Sequence, residues 1–352
     1  MNYEAVHGLD FSKDEISDCL SKKGLLSLEL EFTKRCNLKC IYCYAEAGDP
    51  KKNELTTEEI KSVIKQAKEL GAKRIILLGG GEPLLYEGIR DIIEHIKAQG
   101  LKQTLFTNGT LLTEEFSLFL YSHGVDVIIK HNSNIPVIQD MLAGVSGAFE
   151  KIERGFNTLA KAGYPNGRQL GIQTIICKQN RDEIPEMWKW ARENDIIPYF
   201  EILTYQGRAK AHPELLLEVD TIRETFDVLQ EIDEKRFGIK WPSHPTIASF
   251  TCKRHLYSCL VNSQGYVQPC TGIDISIGSI RKHSLKNILR ESHVIKDLRN
   301  IYKSLKGPCG SCAYNGECYG CRGNAYQITG DYRSSDPACW IYKAQQKQCK
   351  AG

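Results

Sequence analysis

Cys36-Asn-Leu-Lys-Cys40-Ile-Tyr-Cys43 stands directly after an apolar run, residues 25–32, that reads as a β-strand. Three thiols on one tight loop, spaced C-x3-C-x2-C, can ligate three irons of a cubane cluster and leave the fourth iron without a protein ligand. An open metal position of that kind can bind a substrate or cofactor directly. Zinc wants a fourth ligand at finger-like spacing, and no nearby Cys or His supplies one.

Up to about residue 239, short apolar runs alternate with longer amphipathic stretches. Strands are predicted at 25–32, 74–78, 103–107, 125–129, 171–177 and 196–203. RIILLG and VDVIIK are apolar at nearly consecutive positions, as in parallel strands buried on both faces. Helices are predicted at 57–70, 88–99, 113–123, 147–162, 183–194 and 219–235. The first is opened by a capping box, Thr56 with Glu59, and closed by Gly71. Repeated βα units imply an α/β fold with a parallel sheet, and periodicity alone admits an open doubly wound sheet or a partial barrel.

With 352 residues the chain is long enough for about two domains at ~150 residues each. Its 46 Lys+Arg against 43 Asp+Glu give a net charge of +3, which excludes the basic footprint of a nucleic-acid binder. No apolar run is long enough for a membrane span, and MNYEAVHGLD lacks the form of a secretory signal. The cytoplasm is therefore the expected compartment, where clustered thiols bind metal more often than they form disulfides. Fourteen cysteines are present, and eight of them fall between residues 246 and 340. They run Cys252-x6-Cys259-x10-Cys270, then Cys309-x2-Cys312-x5-Cys318-x2-Cys321, then Cys339. Eight thiolates equal two four-cysteine sites, iron–sulfur or zinc. One helical pattern, residues 284–305, interrupts this region. From Arg281 to Lys306 eight Lys+Arg face two acids, either a docking strip for an acidic electron-transfer protein or a solvated helix face. Cys177 sits in an apolar strand as a small core residue, while Cys19 and Cys349 lie near the termini.

The triplet resembles the CxxxCxΦC loop of the radical S-adenosylmethionine (AdoMet) superfamily, with Tyr42 at the aromatic position that lies against the adenine. Gly79-Gly80-Gly81-Glu82-Pro83, after the second strand, is similar to the family's segment for the methionine amino group. Glycines there let backbone approach a ligand, and a carboxylate accepts from an ammonium. Thr107-Asn108-Gly109 falls where relatives line the AdoMet pocket. Where many relatives read Ser-Leu-Asp-Gly, this chain has Lys130-His131-Asn132-Ser133. Lys130 and Asn132 either take over contacts to AdoMet or form a polar strand end facing water. Gly207-Arg208-Ala209 resembles the family's GRA turn, with Arg208 as an anion contact or a merely exposed side chain.

Gly265-x4-Cys270, the cysteine-rich run and Asp336-Pro-Ala-Cys339 resemble the SPASM extension. The resemblance implies a partial (β/α)6 barrel over residues 25–245 and an α+β SPASM domain with C-terminal tail over 246–352, preceded by a helical extension over 1–24. It implies three 4Fe–4S clusters: one at Cys36, Cys40 and Cys43, a nearer auxiliary one at Cys252, Cys259, Cys270 and Cys321, and an outer one at Cys309, Cys312, Cys318 and Cys339. It further implies reductive cleavage of AdoMet, a 5′-deoxyadenosyl radical, and a flavodoxin- or ferredoxin-type electron donor. The leading expectation is oxidative maturation of a peptide or protein, with any leader peptide bound by a separate protein; the sequence leaves the oligomeric state open and is compatible with a monomer. Radical oxidation of a small molecule (a sugar, cyclitol or tetrapyrrole) is the alternative. An electron-transfer or binding protein leaves the open triplet and GGGEP unexplained. Sulfatase-maturing relatives place an Asp after the cysteine equivalent to Cys270; here Thr271 stands there, and Asp274 is the nearest candidate base.

Overall fold

A computed structural model describes residues 11–341. Cys349 lies outside the described residues. After a first helix, α1 (Lys13–Lys22), the strand β1 (Ser27–Leu30) opens the first of six βα units. They run α2 (Thr57–Glu69), β2 (Arg74–Leu77), α3 (Ile89–Ala98), β3 (Lys102–Thr107), α4 (Glu114–Ser122), β4 (Val125–Lys130), α5 (Pro136–Ala143), α6 (Ala148–Ala162), β5 (Leu170–Ile176), α7 (Ile184–Glu193), β6 (Ile197–Ile202) and α8 (Val219–Ile232). All six strands are parallel, and each pairs with its sequence neighbour. A doubly wound sheet would reverse its strand order at a switch point. This one does not, so its crossovers wind one way and its strand ends form one rim, as in a partial barrel.

Strand parity separates two layers. Leu28, Leu30, Ile75 and Leu77 face outward and pack with Ile60, Ile64, Ile92 and Ile96 of α2 and α3, all at most 5 % exposed. Full burial of each such side chain is worth about 2 kcal/mol. On the inner face Ile76, Phe106, Ile128 and Tyr199 form a separate cluster. The capping box is present: Glu59 N donates to Thr56 Oγ1 and Thr56 N to Glu59 Oε2. The sequence reading missed α5, whose Pro136 sits in its first turn and whose eight residues are too few for a clear period.

The sheet does not stop near residue 245. A one-turn helix α9 (Arg254–Tyr257) leads into β7 (Ser258–Val261), which runs parallel to β1 on its free edge with Leu28 opposite Cys259. β8 (Tyr266–Gln268) and β9 (Gly278–Ser279) follow antiparallel. The predicted helix at 284–305 is three short ones, α10 (Leu285–Glu291), α11 (His293–Arg299) and α12 (Ile301–Ser304). Ser292, at φ −60° and ψ 120°, ends the first and caps the second through its hydroxyl, and Asn300 interrupts again. Both residue types favour caps over helix interiors. Several of the cations expected on one strip are engaged: Arg281 with Glu59, Lys306 with Asp331, and Arg299 with the Gly24 carbonyl. Last comes α13 (Arg322–Thr329). Among the described residues no helix is long and apolar enough to cross a membrane.

Candidate functional site

The cysteine loop leaves the end of β1 and is tied down by long-range backbone bonds. Cys36 N donates to Gly48 O (2.9 Å), Lys39 N to Ala143 O (3.0 Å) and Ile41 N to Leu142 O (3.1 Å). The last two acceptors are free carbonyls at the end of α5. Arg208 closes the loop from the other side, donating from Nε to Cys40 O and from Nη1 to Ala47 O, both at 2.8 Å. Its guanidinium therefore clamps the loop, in place of the anion contact the sequence suggested. Burial pushes the Cys36 thiol up to about 12 and raises Cys40, so taking up iron must release protons.

Directly against the start of the loop lie Gly80, Gly81 and Glu82, with Gly81 N donating to Thr33 O and Glu82 N to Arg35 O, and Thr107 and Asn108 line the same cleft. Gly79 and Gly80 have φ of +83° and +74°, and a Cβ on Gly81 would come 2.1 Å from the Arg35 carbonyl oxygen. Only glycine lets this segment lie against the cysteine loop. Glu82 is 1 % exposed and accepts from Thr107 Oγ1 (2.7 Å) and Asn108 N (2.8 Å). Burial nonetheless lifts its carboxyl to about 7, against the lowering effect of those donors.

Lys130 lines the cleft with its ammonium 4.9 Å from the Tyr42 ring centroid. Asn132 does not line it. It is fully buried, donating to Tyr42 Oη at 2.7 Å and accepting from Ile175 N at 2.9 Å, so it orients the tyrosine. Asp274 is exposed and lies outside the cleft, because Ile273 takes the inward position of that turn. The sequence reading missed Glu29, Gln173, Tyr199, Glu201 and Arg254, all on the cleft wall. A glutamate inside the apolar stretch Leu28-Glu29-Leu30 was the available signal, since an acid pointing into a barrel needs a partner. That partner is Arg254, whose Nη1 lies 3.0 Å from Glu29 Oε1.

A second cavity adjoins the first and shares Glu201, Ile202, Leu203, Thr204, Arg254, Thr271 and Gly272 with it. Its wall holds Cys252, Cys270, Cys321 and Cys339. Gly272 and Gly323 let the Cys270 turn and α13 touch backbone to backbone; a Cβ on Gly272 would come 2.7 Å from Gly323 Cα. Two groupings differ from the expectation. Cys259 shares the outward face of Leu28 in the sheet, where it is fully buried in the apolar core away from this cavity. Cys339, expected with the outer set, stands on the wall of the inner one. Cys309, Cys312 and Cys318 occupy the half-exposed turns before α13. Among the described residues no group of three or more Cys, His, Asp or Glu is placed to hold a single metal ion of any kind. Sets of three or four thiols around a cavity suit a multi-iron cluster better. Cys177 is buried in the core with its thiol 3.4 Å from Asn180 Oδ1, and Cys19 is buried beneath α9.

The family description "Radical SAM superfamily" matches residues 30–191, and "SPASM: iron-sulfur cluster-binding domain" matches residues 252–313. An AdoMet-dependent heme synthase of Methanosarcina barkeri is 31% identical over 345 residues, spanning 90% of this chain and 96% of that protein. An Fe-coproporphyrin III synthase of the same organism is 27% identical over 378 residues, spanning 96% and 91%. Among solved structures, Streptococcus suis SuiB bound to the precursor peptide SuiA superposes with a TM-score of 0.71 at 16% identity, covering 93% of this chain and 79% of that one. At that identity the likeness establishes the fold alone.

Proposed function

Since this chain belongs to the radical SAM superfamily and carries a SPASM iron–sulfur domain, we propose that it is a radical enzyme of iron-tetrapyrrole synthesis, removing a hydrogen atom from a carboxylate-bearing side chain at the edge of the macrocycle. The supporting observation is the co-linear similarity to an AdoMet-dependent heme synthase over 96% of that protein's length. The substrate class thus moves from the peptide expected on sequence to the tetrapyrrole held as an alternative. A peptide has behind it the fold likeness to peptide-bound structures such as SuiB, at identities that carry the fold alone.

When bound, a 4Fe–4S cluster at Cys36, Cys40 and Cys43 together with AdoMet supplies the hydrogen-abstracting 5′-deoxyadenosyl radical. The chain's own residues prepare the place. Glu82, held by Thr107 and Asn108, accepts from the ammonium of AdoMet. Tyr42, fixed by Asn132, offers its ring to the adenine. Cys252, Cys270, Cys321 and Cys339 would hold one auxiliary cluster beside the cleft, and Cys309, Cys312 and Cys318 would supply donors for another. The inner barrel face, with Phe106 and Tyr199 packed edge to face at 5.5 Å, gives an apolar wall for a flat ring.

The test incubates anaerobically reconstituted enzyme with AdoMet, reductant and either Fe-coproporphyrin III or a pool of short peptides. Formation of 5′-deoxyadenosine coupled to a mass loss in the porphyrin is the expected result. Coupling to a peptide mass change instead overturns the assignment.

A further inference from the structure

Arg254 stands where the two cavities meet, and among the described residues it is the one arginine on the walls of both. Its side chain is 15% exposed. One end of the guanidinium is occupied, with Nη1 3.0 Å from Glu29 Oε1. The other edge is short of partners: Nη2 reaches Tyr199 Oη only at 3.5 Å, and Nε is buried without a hydrogen-bond partner. A buried N–H with no acceptor costs free energy, typically about 1–3 kcal/mol. The Nε–Nη2 edge is also the fork that matches two carboxylate oxygens. On another wall of the same cleft, the Lys130 ammonium lies over Tyr42.

We propose that Arg254 is the specificity anchor of the site, its unsatisfied edge gripping a carboxylate of the substrate between the AdoMet cleft and the inner cysteine cavity. This rests on the tetrapyrrole reading and deepens it. A macrocycle bearing several peripheral carboxylates can give one to Arg254 while presenting another side chain to the Cys36–Cys43 end. The purely structural alternative is that Arg254 only neutralises Glu29 and nearby thiolates. The two roles differ in one respect: an anchor discriminates an acid from its ester.

The experiment titrates reconstituted holoenzyme with Fe-coproporphyrin III and with its tetramethyl ester, both in the same detergent, following the Soret band. Wild type is expected to bind the acid more tightly than the ester. Arg254→Gln is expected to lose about 10- to 100-fold in affinity for the acid and little for the ester, as losing a charge-assisted pair of hydrogen bonds implies. Arg254→Lys, which keeps the charge without the fork, should fall between. Because Arg254→Gln strands Glu29, a Glu29→Gln/Arg254→Gln double variant repeats the titration without a buried unpaired acid. Equal losses for acid and ester, or no loss in either variant, overturn the anchor while leaving the tetrapyrrole reading intact. A wild type that shifts neither Soret band overturns both.

Discussion

The loop from Cys36 to Cys43 and the turns from Cys309 to Cys318 each present three closely spaced thiols, yet the fold holds them in opposite ways. The first is fastened by partners distant in sequence: Gly48, the end of α5, and Arg208 from beyond β6. The backbone of the second is held mostly by its own short turns, and distant residues reach it through side chains alone: Ser249 at the Cys318 thiol, Lys253 at the Glu317 carbonyl and Phe250 at the Tyr314 ring. Asn315 N donates to Cys312 O, Glu317 N and Cys318 N both donate to Tyr314 O, and Cys309 N reaches outward only to Ser335 Oγ. A loop fixed by the barrel keeps its shape whether or not a metal is bound. One built from local turns with little apolar burial gains its order from the metal.

The largest effects should divide along that line. Replacing Cys36, Cys40 and Cys43 together by Ala should reduce 5′-deoxyadenosine formation to background while leaving the thermal midpoint nearly unchanged. Stripping iron from wild type should instead expose the C-terminal turns. Limited proteolysis of the apo chain is expected to cut between residues 307 and 320 and to spare residues 36–48. Equal protection of both segments would break the contrast.

Glu82 tests how far the barrel half is preorganised. Glu82→Gln should weaken AdoMet binding by about 10- to 100-fold, the worth of one charge-assisted contact. Its carboxyl sits at about 7 because burial disfavours the charge. The ionised form needed to accept from an ammonium therefore grows as pH rises through 7, so affinity should increase from pH 6 to pH 8 in wild type and stay flat in Glu82→Gln. For folding the sign is opposite: ionising this raised carboxyl costs stability as pH climbs from the ordinary carboxylate range through 7. An AdoMet affinity independent of pH in wild type would remove Glu82 from the ammonium site.

Cys252 and Cys259 show what was legible in the sequence and what was not. The βα rhythm, the capping box at Thr56 and Glu59, and GGGEP one unit after the triplet are local patterns, so strands, helices and the meeting of GGGEP with the cysteine loop could be read directly. Which cysteines share a cavity depends on pairing between residues more than two hundred positions apart. Opposite Leu28, Cys259 is turned into the core, and no spacing rule reveals that register. Arg254 was hidden for the same reason, because its partner Glu29 belongs to the first strand. Cys259→Ala should keep full iron and cost about 1 kcal/mol for the small void. Cys252→Ala should lose up to one cluster of iron. Iron loss in the Cys259 variant would restore it to the ligand set.

The smallest effect sharpens the seam between the two regions. Glu59 serves α2 as a capping residue and also receives Arg281 bidentately, from Nε at 2.6 Å and Nη2 at 2.9 Å, tying the barrel to the segment after β9. The Arg281 hydrogen bond is the main reason its carboxyl is held down at about 2, with the Thr56 backbone bond adding to it. A depressed folded pKa means the contribution is complete above the unfolded value near 4.5 and is lost as pH falls toward 2. Both side chains are about one-third exposed, so solvent screening limits the pair to about 1 kcal/mol. Glu59→Gln should therefore melt slightly below wild type at pH 7, with the gap narrowing below pH 4.5 and closing toward pH 2. Arg281→Gln should reproduce that convergence, and the double variant should add little, because the two residues share one interaction. If the loss lies at the seam, faster proteolysis should appear after β9 and not within α2; cleavage of α2 first would assign the effect to the helix cap.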